Sequence, residues 1–188
     1  MTRQRSTTSP SDEKKRFLQE GAEVYLEAAN SISAFTELIK TECHSSLLTH
    51  LPSMARALGK RIARNLLKDH LDIGRDWARV GAKVDVGDMG ALYVFVLWDC
   101  LESPVTSLNC SLWLKDRDLA SCVYTAVTEA IPDHIGFDDA EVWLTKPILP
   151  SEFDQLTETL DAFVSRWATA LEKVGPLTRL QPVELPLS

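Results

Sequence analysis

Apolar positions recur at three- and four-residue steps early in the chain: Phe17, Gly21, Val24, Tyr25, Ala28, Ile32, Phe35, Leu38 and Ile39, with Glu20, Glu23, Glu27 and Glu37 on the other side. That spacing predicts a helix over residues 12–42. Ser9 or Ser11 serves as its N-cap, and Asp12 and Glu13 complement the dipole of its first turn. "HSSLLTHLPS" then breaks the pattern. A proline among hydroxyl residues predicts a turn there, with a new N-cap at Ser53. A second helix follows in "SMARALGKRIARNLLKDHL", where Met54, Leu58, Ile62 and Leu66 step by four.

The period next changes to two. In "DWARVGAKVDV", Ala78, Val80, Ala82, Val84 and Val86 alternate with Trp77, Arg79, Gly81, Lys83 and Asp85, which predicts a half-buried strand. "GDMG" supplies a hairpin connection. "ALYVFVLWD" is apolar on both sides and predicts a central strand covered on both faces. "SLNCSLWLK" turns Leu108, Cys110, Leu112 and Leu114 inward. "DRDLASCVYTAVTEAI" predicts a helix begun by Asp116 or Asp118 and ended by Pro132. "DDAEVWLTKPIL" gives a fourth strand. In the last helix, Ser151 is the expected N-cap, Phe153, Leu156, Leu160, Phe163, Val164, Trp167 and Leu171 form the stripe, and Gly175-Pro176 is the stop.

The order α-α-β-β-β-α-β-α predicts an α+β fold. It is a single four-stranded mixed sheet: a three-strand antiparallel meander, a helical crossover and a fourth strand parallel to the third, with helices on both faces. Residues 1–10 form a tail. Residues 11–176 form one domain, helical over 11–70 and sheet-containing over 76–174, and residues 177–188 form an extended tail.

Composition adds class and surface. A length of 188 residues with 45% hydrophobic and 25% charged residues suits one soluble globular domain. No apolar run is long enough for a spanning helix, and no apolar segment follows the charged N-terminus as in a secretory signal. A cytoplasmic location is expected, without membrane contact. Cys43, Cys100, Cys110 and Cys122 show no paired spacing, so four free thiols are expected. The net charge of −7 disfavours broad nucleic-acid binding. The charge is uneven: Lys and Arg outnumber Asp and Glu by 7 to 3 over residues 51–80, and are outnumbered 6 to 13 over residues 111–188.

Candidate chemistry is sparse. Asp99 closes the second predicted strand and Lys115 the third. With a helix, a meander, a helix and a fourth strand over roughly residues 50–146, this order resembles the PD-(D/E)XK nuclease core. The resemblance implies Mg²⁺ held by two carboxylates, with a lysine assisting attack by water. The position that should supply the second carboxylate is Trp113, so the triplet reads "WLK". The expected reading is two strand ends in water. His44 and His50 flank a turn near Cys43, with too few ligands for zinc. Glycine-rich phosphate loops, GxSxG and HExxH are absent from the sequence. No metal or cofactor is expected.

Two surfaces stand out. Arg56, Lys60, Arg64 and Lys68, with Arg61 beside them, form a basic stripe on the second predicted helix. It either meets a partner or pairs with Glu20, Glu23 and Glu27. The non-core positions of the strands gather Trp77, Trp113 and Trp143 among Arg79, Lys83, Asn109, Ser111, Glu141 and Thr145. That set suits a protein hot spot or a stacking platform, and the two-sided apolar central strand predicts a helix lying over it. Arg56, Lys60, Arg61, Arg64, Lys68, Trp113 and Trp143 are thus the candidate partner-binding residues. The expected function is a non-enzymatic protein-interaction domain of inhibitor, immunity, adaptor or accessory-subunit type. It would act through acidic and amphipathic helical surfaces on another protein, and a homodimer is left open. The alternative is a nuclease-like or nucleic-acid-binding domain.

Overall fold

Helix α1 runs without a break from Pro10 to Ala57 in a computed structural model that describes residues 10–59, 67–74, 77–99, 105–131 and 135–174. The turn expected at residues 44–53 does not form. Ile39, Cys43, Leu47, Leu51, Met54 and Leu58 recur at steps of four and three and are all buried. This continuous stripe outweighs the local signals of Pro52 and the hydroxyl residues. Pro52 lies inside the helix on an exposed position. The helix stops at Gly59, whose φ of 65° is the left-handed value that glycine adopts without strain.

The chain divides into two units, Met1–Leu38 and Ile39–Ser188. In the first, every side chain from residue 14 to residue 38 is exposed except the half-buried Thr36.

The second unit holds a six-stranded sheet, fully antiparallel, in the order β1-β2-β3-β4-β6-β5. The strands are β1 (Leu67–Ile73), β2 (Trp77–Asp85), β3 (Gly90–Asp99), β4 (Val105–Leu114), β5 (Ile135–Asp138) and β6 (Glu141–Pro147). Helices α2 (Arg117–Ala130) and α3 (Leu156–Val174) complete it. The class is α+β as expected, but the sheet has six strands where four were expected, and the element order differs. β1 was hidden inside the second predicted helix. "LKDHLDI" is an edge strand whose Lys68, Asp69 and Asp72 suit an edge kept from pairing further. β5 is only four residues long and contains Gly136, too weak a pattern to register. It also explains the wrong direction of the fourth predicted strand. The crossover through α2 leads into β5, which is parallel in sense to β4. The β5–β6 hairpin then turns β6 back between them, antiparallel to β4.

Within the second unit, the described helices do not lie on both faces. The buried residues of α2, of α3 and of α1 from Ile39 onward join one apolar cluster with Val80, Ala82, Val84, Leu92, Val94, Val96, Leu108, Cys110, Leu112, Leu114, Val142 and Leu144. These strand positions pair in register and share one sheet face. α2 is capped by Asp116, whose Oδ1 accepts from the N–H groups of Asp118 and Leu119 at 3.0 and 3.1 Å. Ser151 is not the cap of the last helix. A 3-10 turn over Pro150–Gln155 precedes it, closed by the Leu149 N–H donating to Glu152 Oε2 at 2.7 Å. Cys43, Cys110 and Cys122 are reduced, and Cys100 lies outside the described residues. Burial, with Glu42 nearby, pushes the Cys43 thiol up to about 12.

Polar links tie α1 to its neighbours. His44 Nε2 and Lys40 Nζ approach the Asp69 carboxylate of β1 at 2.9 and 3.5 Å. The His44 contact is close in distance but is not aligned as a hydrogen bond. His50 Nε2 lies 2.9 Å from Asp161 of α3, and Arg56 donates to Glu172 of α3 at 2.8 Å.

Proline inside a helix removes one hydrogen bond and clashes with the preceding turn, at a cost of about 3 kcal/mol. Part of that is offset in the unfolded chain. Pro52→Ala should therefore stabilise the fold by about 2 kcal/mol, read as a higher urea midpoint at unchanged slope. A lower midpoint would mean that Pro52 shapes a bend the packing needs.

Candidate interaction site on the open sheet face

Each strand that sends one set of side chains into the core sends the alternate set to the opposite face. On β2 that set is Trp77, Arg79, Gly81, Lys83 and Asp85. On β3 it includes Tyr93, Phe95 and Leu97, and on β4 Ser107, Asn109, Ser111 and Trp113. β1 adds Lys68, His70 and Asp72, and β6 adds Glu141, Trp143 and Thr145. The helix expected over this face is absent among the described residues. Phe95 is buried to 4% exposure yet stands apart from the helix-packed cluster. Its cover is lateral. Gly81 stands between His70 and Phe95 in register, and a Cβ there would meet the Phe95 backbone at 2.6 Å. With that position empty, the His70 ring reaches Phe95 edge-on at 5.6 Å and Tyr93 at 5.0 Å. The Arg79 guanidinium lies 5.4 Å from the Phe95 ring centre and 5.2 Å from that of Trp77.

Two adjoining pockets open on this surface. One of about 250 Å³ is lined by His70, Asp72, Arg79, Tyr93, Phe95, Trp113 and Glu141. The other, of about 220 Å³, shares Arg79, Phe95 and Glu141 and adds Leu97, Asn109, Asp138 and Trp143. Trp113 stands in register with Glu141, and Trp143 with Ser111. The Trp143 ring lies over Gly136, where a Cβ would sit 2.2 Å from it. Asn109 Nδ2 donates to Ser107 Oγ at 2.9 Å. His70 Nε2, Arg79 Nε and Ser111 Oγ are buried without a hydrogen-bond partner among the described residues. The surface is thus an aromatic floor with one cation at its centre and the carboxylates of Asp72, Asp138 and Glu141 around it.

The structure brings Trp113 and Trp143 together on this face, with Trp113 37% exposed. Of the basic stripe, only Arg56 and Lys68 are among the described residues, and they lie on different elements. Arg56 ends α1 and pairs with Glu172, held there also by Ser53. Hydrogen bonds to the Glu172 carboxylate, from Arg56 first and then Ser53, hold it below its ordinary value. Lys68 lies on β1 and donates to Asp85 at 2.8 Å, which holds that carboxyl low. Lys60, Arg61 and Arg64 lie outside the described residues. Asp99 and Lys115 are not brought together either. Asp99 pairs with Val105 at one end of β3 and β4, while Lys115 follows Leu114, which pairs with Gly90 at the other. Nine residues of strand separate these ends, about 30 Å, which no single metal ion bridges. Among the described residues, no three His, Cys, Asp or Glu side chains are grouped to hold a metal ion.

The sequence reading missed His70, placed at the end of a helix, Asp72, given no role, and Tyr93, Phe95 and Leu97, taken as a second core layer. The signal was available in the parity of β3, which puts these three on the same side as Arg79 and Trp113. Compared with protein-family models, curated proteins and solved structures, the chain matches none. No helix among the described residues is long and apolar enough to cross a membrane.

Burial holds the His70 imidazole below its ordinary 6.5, with Arg79 and Lys83 acting the same way and Asp72 and Glu141 opposing. The folded chain therefore binds this proton more weakly than the unfolded chain does. The stability contributed by neutral His70 is complete above pH 6.5 and is lost as pH falls through the depressed folded value. Urea midpoints measured from neutral pH downward should fall less steeply in His70→Phe than in the wild type. Equal slopes would remove His70 as a cause.

Proposed function

We propose that this chain is a protein-interaction domain without a catalytic step of its own, and that it docks a segment of another protein on the open sheet face. One observation carries this reading. Trp77, Arg79, Tyr93, Phe95, Trp113 and Trp143 share one face that no helix covers among the described residues. Trp, Tyr and Arg are the side chains that dominate binding energy at protein interfaces, because they combine large apolar area with a directed polar group.

The charges specify the partner. Glu141 belongs to both pockets, beside Trp113 and Trp143, with Asp72 and Asp138 at the margins. A lysine or arginine of the partner would find a tryptophan face and a carboxylate together. An apolar side chain next to it would enter the aromatic floor. The Arg79 guanidinium, held against the Trp77 and Phe95 rings, would keep those aromatic faces in place beneath the segment. The segment is therefore basic with an apolar anchor. The acidic net charge would favour its approach through electrostatic complementarity and disfavours a polyanion.

Selection from a random peptide library tests this. Enriched sequences should pair Lys or Arg with a neighbouring apolar residue, and Trp113→Ala or Glu141→Lys should weaken their binding at least about tenfold. Trp113 is partly exposed, so its variant should keep the wild-type circular dichroism. Enrichment of acidic peptides, or equal affinity in folded variants, would refute the assignment.

A further inference from the structure

The N-terminal half of α1 carries a surface that the proposed function does not use. Phe17, Leu18, Val24, Tyr25, Leu26, Ile32, Phe35 and Leu38 are exposed by between 39 and 74%. A helix gains little stability from propensity alone and depends on packing of its apolar face, and an apolar stripe of this length in water marks an association surface. All but Leu26 fall on one side. Leu18, Gly21, Tyr25, Ala28, Ile32 and Phe35 follow an unbroken alternation of three and four, the seam of a two-stranded coiled coil. Phe17, Val24 and Leu38 flank the seam on one side, and Ala22 and Ala29 on the other.

We infer that the partner of this seam is a second copy of the chain, paired antiparallel over residues 14–38. The sizes along the seam decide the direction. Set against its own reverse with Tyr25 facing Ala28, the seam also brings Gly21 against Ile32 and Leu18 against Phe35. Each layer then joins a smaller side chain to a larger one, and six layers form from two identical helices. Parallel pairing would face Gly21 with Gly21 and Ala28 with Ala28, leaving gaps, while Tyr25 and Phe35 each met their own copy. Uneven layers of that kind lose packing contacts.

Charge agrees with size. Lys14, Lys15 and Arg16 crowd one end of the segment and Glu37 stands at the other. Antiparallel pairing brings Lys14 and Lys15 of each helix toward the Glu37 end of its partner, whereas parallel pairing sets the four lysines of the two copies side by side, Arg16 pairing with Glu20 of its own helix at 3.5 Å. Seven apolar side chains per copy, losing on the order of 100 Å² each, remove about 1,400 Å² from water, within the range of a standard specific interface. The pairing does not depend on what the open sheet face binds.

Sedimentation equilibrium and disulfide trapping test the inference on the full chain. The wild type should be a dimer at low micromolar concentration, and Ile32→Glu should weaken dimerisation at least about tenfold. Ile32 is exposed in the single chain, so the variant should keep its folded second unit. Leu18→Glu repeats the test from the opposite end of the seam. For direction, Leu18→Cys and Phe35→Cys chains are oxidised separately and mixed, with the wild type as the background for its own thiols. Antiparallel pairing yields cross-linked dimer from the mixture and not from either variant alone. A monomer up to about 100 µM, a dimer indifferent to both glutamate variants, or cross-linking of each cysteine variant with itself would overturn the proposal.

Discussion

Val80, Ala82 and Val84 of β2 can enter the core only if Arg79, Gly81 and Lys83 turn the other way, because successive side chains of a strand point to opposite faces. Register carries that choice across the sheet. Once Val80 pairs with Val96 and Val96 with Leu108, the parity of every neighbouring strand is set. A one-residue slip of β3 would exchange Leu92, Val94 and Val96 for Tyr93, Phe95 and Leu97. It would bury a tyrosine hydroxyl under the helices and put three aliphatic side chains in water. Burial on the helix side is therefore what holds Trp113, Trp143, Arg79 and Phe95 in one array. Gly81 contributes at the centre by letting β2 and β3 approach under the Phe95 ring.

The same core explains why α1 ignores its own sequence signals. Its second half supplies a buried residue at almost every turn from Ile39 to Leu58, and full burial of each is favourable by about 1.5–3 kcal/mol. Against several such terms, one internal proline at about 3 kcal/mol is outweighed. Asp69, His50–Asp161 and Arg56–Glu172 sit around this packing and are partly exposed, so they set orientation more than they add stability.

What could be read from the sequence follows the strength of the period. The α3 stripe and the inward rows of β2, β3, β4 and β6 were legible because each repeats over many residues. β1 was not, since Leu67 and Leu71 are four apart and fit a helix as well as a strand. Asp69 on the core-facing side, paired with His44 and Lys40, further blurred its alternation. β5 had four residues and a glycine. For the site, the three tryptophans, Arg79 and Glu141 were legible as alternate positions, but their accessibility was not. Whether a second layer covers a sheet depends on where the helices pack, and β3 looked two-sided because Tyr93, Phe95 and Leu97 shelter under neighbouring side chains. The separation of Asp99 from Lys115 was legible in principle: consecutive strands of a meander end on opposite edges.

The two proposed surfaces lie in different units of the chain, which affects how they could act together. Residues 14–38 add no side chain to the apolar cluster beneath the sheet, so a change in the seam need not disturb the open face. A pair of chains joined through α1 carries two open faces. A target with two basic segments then meets its second site at an effective concentration set by the dimer and not by the bulk. That can raise avidity by 10²–10⁴ without a new contact, provided that both segments reach. A target with one segment gains nothing. Weak docking on the open face would in that case discriminate by spacing as well as by sequence, which single binding at the same contacts cannot do.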